Sequence, residues 1–187
     1  MPSYNRNSRN PLQTLTWAVA ATLLYGSALA ADAATKFEMT AYTNGAGGES
    51  IISGNYAAAV AALQSKWATQ YQDQTTVDTN KCVAYTMSGN LAAAHAVCDS
   101  AIMSAKDDLM MSTSGLWERE KLNESLAVAY SNRAVLNWVS NDAVAAARDL
   151  AAAVELEPKA EYVARNISAL HSPHENSLAQ LGVTPRS

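Results

Sequence analysis

Small apolar residues recur along this chain at helical spacing, and the helices they predict are punctuated by one short polar phrase used three times. Gly54-Asn55-Tyr56 is followed by Ala59, Gly89-Asn90-Leu91 by Ala94, and Asn141-Asp142-Ala143 by Ala146. The first two phrases stand 35 positions apart and the last two 52, as one period carrying an insertion of roughly 18 residues between Met103 and Asn123 would give. The later two copies also match at Asn80 and Asn132, Val83 and Val135, Ala101 and Ala153, and Ile102 and Val154. Within the insertion, SAKDDLMMSTSG reads as a loop, with Met110 and Met111 folding back on the core or making an exposed contact. LWEREKLNES reads as extra helix, so one long helix is expected from about Leu116 to Val139. Lys159 to Leu170 predicts a last helix through Tyr162, Val163, Ile167 and Leu170. Residues 171–187 hold two prolines and no apolar period, and predict a flexible tail.

The stretch YSNRAVLNWVSNDAVAAARDLAAAVELEP, Tyr130 to Pro158, resembles one whole tetratricopeptide repeat. It has the aromatic at Tyr130, small residues at Ala134, Ala146 and Ala153, the turn at Asn141-Asp142 and the closing proline at Pro158. Asn80 to Ile102 is similar but lacks the proline and the leading aromatic. The earliest copy, around Gly47 to Trp67, is a second helix preceded by a stub, Ile51 and Ile52. The resemblance implies an all-α fold over residues 47–170 (insertion 104–122): a right-handed α-solenoid of about three antiparallel helical hairpins plus a C-terminal capping helix. In this family the first helix of each hairpin lines a concave groove. The outward positions are then Val83, Thr86 and Met87, Ser131, Val135, Trp138 and Val139, and Ile167 and Leu170. That face is apolar enough to anchor an extended segment or a partner helix through Trp138. It is equally suited to being covered by Lys36 to Tyr42, from an extended segment at 31–46, or by a second subunit.

The same hairpin geometry bears on Cys82 and Cys98, the only cysteines. Their midpoint is Asn90, inside the turn, so both fall where the two helices cross; the third copy has Ala134 and Leu150 there. Two readings stand, a disulfide and a pair of small buried thiols, and export favours the first. The bond would close a loop of about 15 residues and contribute on the order of 3 kcal/mol.

Export is read from the N-terminus. Arg6 and Arg9 are the only charges before Asp32 and precede the apolar run LQTLTWAVAATLLYGSALA; Ala28 and Ala30 place small residues for cleavage after Ala30, with Ala33 as the alternative. An uncleaved anchor is the competing reading, but Thr14, Thr16, Thr22, Gly26 and Ser27 dilute the run below a spanning helix. Without residues 1–30 the 13 basic and 17 acidic side chains become 11 and 17, a net charge near −6 that offers nothing to nucleic acid or an anionic membrane.

Signals for chemistry are weak. His95 sits mid-helix, and His171 and His174 flank Pro173 on the tail. Asp107-Asp108 has no calcium-loop spacing, and Gly45-Ala46-Gly47-Gly48 lacks the Lys-Ser/Thr ending of a phosphate loop. The expected function is therefore a non-enzymatic periplasmic or secreted interaction module without cofactor, binding a protein or peptide segment in its apolar groove. The alternative is a self-associating structural protein whose groove is a homodimer interface. Asn123-Glu-Ser and Asn166-Ile-Ser are glycosylation sequons on predicted helices, which leaves a eukaryotic secretory origin open.

Overall fold

The computed structural model describes residues 36–113, 115–171 and 181–186, all within the compact unit Thr35–Ser187. The signal segment expected at 1–30 lies outside the described residues.

The described chain is mostly helical. Strand β1 (Glu38–Tyr42) is followed by α1 (Gly48–Ile52), α2 (Tyr56–Gln64), the single turn α3 (Lys66–Thr69), α4 (Gln74–Met87), α5 (Leu91–Met111), α6 (Leu116–Val139), α7 (Ala143–Leu156), α8 (Glu161–Leu170) and strand β2 (Gly182–Arg186).

The recurring phrase has a single local cause at all three places. Gly54, Gly89 and Asn141 adopt left-handed backbone, with φ of 76°, 78° and 64°, a conformation that ends a helix and is open chiefly to Gly and Asn. The next residue, Asn55, Asn90 or Asp142, sends its amide back to the carbonyl of Ser50, Tyr85 or Asn137. Its side chain then accepts the amide of Ala58, Ala93 or Ala145 and caps the following helix. Two residues thus stop one helix and start the next, which explains both the phrase and its spacing.

Within the hairpins so formed, α4 packs on α5 and α6 on α7, with α5 against α6 and α8 against α7 and α6. Alanines at the crossings, Ala94, Ala134, Ala146 and Ala153, are fully buried and let the backbones approach. The Sγ atoms of Cys82 and Cys98 are bonded across α4 and α5, with their Cα atoms 4.7 Å apart. Arg133 on α6 ties three helices together. Its guanidinium grips the buried Asp149 of α7 through two bonds of 2.7 and 2.8 Å and reaches Asp99 of α5 at 2.8 Å, while Asn137 adds a bond of 2.9 Å to Asp149. These carboxylates hold the guanidinium pKa above its ordinary value.

The structure departs from the expected pattern in three places. Ser104 to Met111, expected as a loop, continues α5, because Ala105 and Leu109 extend the stripe begun by Ala101 and pack with Ile102 against Leu126 and Ala129 of α6. The insertion therefore lengthens both helices of a pair, and Met110 and Met111, at 81% and 80% exposure, stand out from its end instead of folding back. The second is a small addition to a chain whose mostly helical content agrees with the all-α expectation: β1 and β2 form a two-stranded parallel pair, Glu38 opposite Gly182 through Tyr42 opposite Arg186. The third is β2 itself, which arises within the segment expected as a flexible tail. Helical periodicity carries no information on either strand, since both are held by partners remote in sequence.

Candidate binding groove

Three asparagines define the site. Asn80 on α4, Asn132 on α6 and Asn166 on α8 are 52 and 34 positions apart, the first the spacing of the last two turn phrases and the second one repeat period, and are 0%, 1% and 0% exposed. Asparagine is a poor residue for a helix interior and costly to bury, so three at one repeat position need partners. All three find them on β1. Asn166 accepts the amide of Glu38 at 2.7 Å and donates to its carbonyl at 2.8 Å. Asn132 does the same to Thr40 at 2.7 and 2.8 Å, and Asn80 to Tyr42 at 2.8 and 2.8 Å.

A side-chain amide carries one carbonyl and one NH2, the hydrogen-bonding complement of a single strand residue. Each asparagine thus stands in for a residue of a neighbouring strand. Because main-chain groups alternate sides along a strand, the clamps take residues 38, 40 and 42 and leave the opposite edge to β2. There Gly182 donates to the Phe37 carbonyl at 2.8 Å, and Thr43 donates to the Arg186 carbonyl at 2.7 Å. Two clamps gain further anchorage: Asn80 donates to the Ala46 carbonyl at 3.1 Å, and Asn166 to Ser131 Oγ at 2.9 Å. Close approach of Asn80 depends on Gly45, where a Cβ would stand 2.8 Å from the Asn80 amide nitrogen and 2.6 Å from Thr76 Cγ2.

Side chains of β1 and its flank complete the contact. Phe37, Met39 and Ala41 are buried, and the Phe37 ring lies 4.4 Å from that of Trp138, tilted by 39°. The expected groove residues Val83, Val135, Trp138 and Val139 join them in one apolar cluster, with Met87 and Ile167 packed at its margin. Ser131 is buried and bonded to Asn166. Cys82 and Cys98 belong to the same cluster, behind the groove. These residues are brought together, and in the isolated chain the segment seated on them is the chain's own, Phe37 to Tyr42.

The rim is polar. Glu38 accepts from Arg165 at 2.8 Å and from Thr184 at 2.9 Å. Arg186 pairs with Glu124, and its guanidinium carbon lies 5.9 Å from the centre of the Tyr42 ring. Burial pushes the Tyr42 hydroxyl pKa up and the Arg186 guanidinium pKa down, each by disfavouring the charged form. Elsewhere His95 meets Ser140 at 3.1 Å and His171 the Ile167 carbonyl at 2.8 Å. His174 lies outside the described residues, among which no group of three or more His, Cys, Asp or Glu side chains is placed to hold a metal ion.

The asparagines were present in the repeat alignment as the match of Asn80 with Asn132, but nothing in a single sequence marks a matched asparagine as a main-chain clamp. Asn166 stood out only as a sequon, and its amide is committed to Glu38 and Ser131. Comparison with protein-family models, curated proteins and solved structures finds no match to this chain.

Proposed function

We propose that this chain is an exported, non-enzymatic interaction module of tetratricopeptide-like architecture, a right-handed solenoid of about three hairpins and a capping helix, that holds extended polypeptide by its main chain. The observation that carries the reading is the asparagine ladder. Three buried amides, one on each of α4, α6 and α8, address alternate residues of a single extended segment without reading their side chains. Such a device suits a protein whose work is to hold a strand, and holding one needs no cofactor. A periplasmic or secreted address rests on the N-terminal signal pattern.

Binding in trans means adding to, or replacing, the strand already present. In the alternative reading, a homodimer through the groove itself, β1 has to leave first, because Val83, Val135 and Trp138 are buried beneath it. A photoreactive residue at Pro185, an exposed position on β2, distinguishes the two in intact cells. Crosslinking to one discrete protein, followed by competition with a synthetic peptide from the crosslinked stretch, supports the module. Crosslinking only between copies of the chain supports the homodimer, and absence of any adduct sinks both.

A further inference from the structure

The two edges of β1 are held by different groups, helix side chains on one and the main chain of β2 on the other. Along one edge, six bonds from three buried side chains bind it to three helices. Along the other lies β2, a five-residue strand in which no residue is buried. Its glycine and proline are the poorest strand formers. Beyond main-chain pairing, β2 is fastened by Thr184 donating to Glu38 at 2.9 Å, by Thr43 donating to the Arg186 carbonyl at 2.9 Å, and by the Arg186–Glu124 pair.

We propose that the β1 edge now covered by β2 is a strand-addition site, and that its partner is an extended, basic segment of another protein that pairs parallel to β1 in place of Gly182–Arg186. The proposal rests on the module reading above and specifies which strand is exchanged.

Its chemistry follows from the contacts β2 makes. The incoming strand presents an aliphatic side chain where Val183 packs against the core, a hydroxyl where Thr184 meets Glu38, and a cation where Arg186 meets Glu124. Beside β2 runs a trough of about 410 Å³ whose walls carry Glu124, Glu157 and Glu161 against Lys159 and Arg165. With Glu38 added and Arg186 withdrawn, acids outnumber bases by four to two, which favours a basic occupant.

The addition site is the β1 edge and not the outer edge of β2. The pairing turns the main chain of residues 182, 184 and 186 toward β1 and that of Val183 and Pro185 away from it. The outer edge therefore lacks an amide at Pro185 and does not extend the sheet. A second copy of the chain is the weaker occupant, because its β2 carries the same glycine and proline and is no better a strand than the one it would displace. A partner segment without glycine or proline wins on pairing.

The test uses the full mature chain and a fluorescein-labelled peptide of residues 181–187 carrying Gly182→Val and Pro185→Val. Anisotropy should show saturable binding that strengthens at least tenfold when Thr184→Pro loosens β2 in the chain, and weakens at least tenfold when the peptide carries Arg186→Glu. Amide exchange followed by NMR should find Met39, Ala41 and Thr43 at least tenfold faster than Glu38, Thr40 and Tyr42, and slowed by the peptide. If Thr184→Pro does not fold, the wild-type titration and exchange rates still decide. Equal exchange on the two edges, or no binding to a folded chain, overturns the proposal. A peptide that frees Phe37 from Trp138 shows exchange of β1, which ends this proposal and leaves the module reading standing. Dimerisation at micromolar concentration with β2 protected makes a second copy the occupant and also overturns it.

Discussion

Asn132 shows how much rests on one side chain. It is the middle clamp, 1% exposed, and its two bonds satisfy both main-chain groups of the buried Thr40. Asn132→Ala leaves an amide and a carbonyl buried without partners, and stability should fall by on the order of 3 kcal/mol in urea unfolding. Asn132→Asp is more informative, because only the protonated carboxyl can donate to the Thr40 carbonyl. The folded state then favours the neutral acid, so the folded pKa rises above the unfolded one. The variant should be close to wild type below the ordinary carboxylate range and should lose stability as pH rises through the raised pKa. A flat difference from wild type across pH 3 to 8 would rule out the donor role. The sequence shows that the asparagines match between copies; what they bind is invisible in it, because a side-chain amide has the same donor and acceptor whether it faces solvent, a ligand or a strand.

At the scale of elements, the turns are the most legible feature and the strands the least. Gly89 stops α4 with φ of 78°, and Gly89→Ala should cost about 1–2 kcal/mol in thermal unfolding through left-handed strain alone. The pattern also locates α6, whose bounds Leu116–Val139 are those expected, because the segment holds no glycine or proline and carries buried apolar residues from Leu126 to Val139. It misplaces the end of α5 because Ala105 and Leu109 are sparse among polar neighbours, and only the facing Leu126 and Ala129 turn them into a core stripe. The Cys82–Cys98 bond closes a hairpin that its turn already organises. Reduction should therefore lower the urea midpoint by an amount corresponding to about 3 kcal/mol or less while far-ultraviolet circular dichroism keeps its helical form. Loss of helix on reduction would mean the hairpin is not self-sufficient.

For the molecule as a whole, β1 is a core element supplied from outside the helices. Phe37 is 1% exposed and packed against Trp138, so Phe37→Ala should destabilise by about 3–5 kcal/mol. It should also shift Trp138 emission to the red in a variant keeping only that tryptophan. A small stability change with unshifted emission would show that the groove closes without its strand. With so few hairpins, little surface exists to bury the apolar faces of the first helices. Using the chain's own extended segment as the inner layer meets that need, and under the proposed strand addition it is β2, not β1, that gives way to a partner.

By itself the amino-acid sequence determined what depends on neighbours within a few residues: helices from apolar spacing, hairpin turns from a left-handed residue followed by a capping side chain, and the meeting of Cys82 with Cys98 from their distances to one turn. Only the tertiary structure decided what depends on residues far apart. It seated Phe37 to Tyr42 on the groove, paired that segment with Gly182–Arg186, and turned three helix-borne asparagines into one ladder. The physical reason is that a strand has no internal hydrogen bonds. Its place is chosen by whatever main-chain partners the folded chain presents, and these come from helices separated by up to 128 residues from the strand they hold.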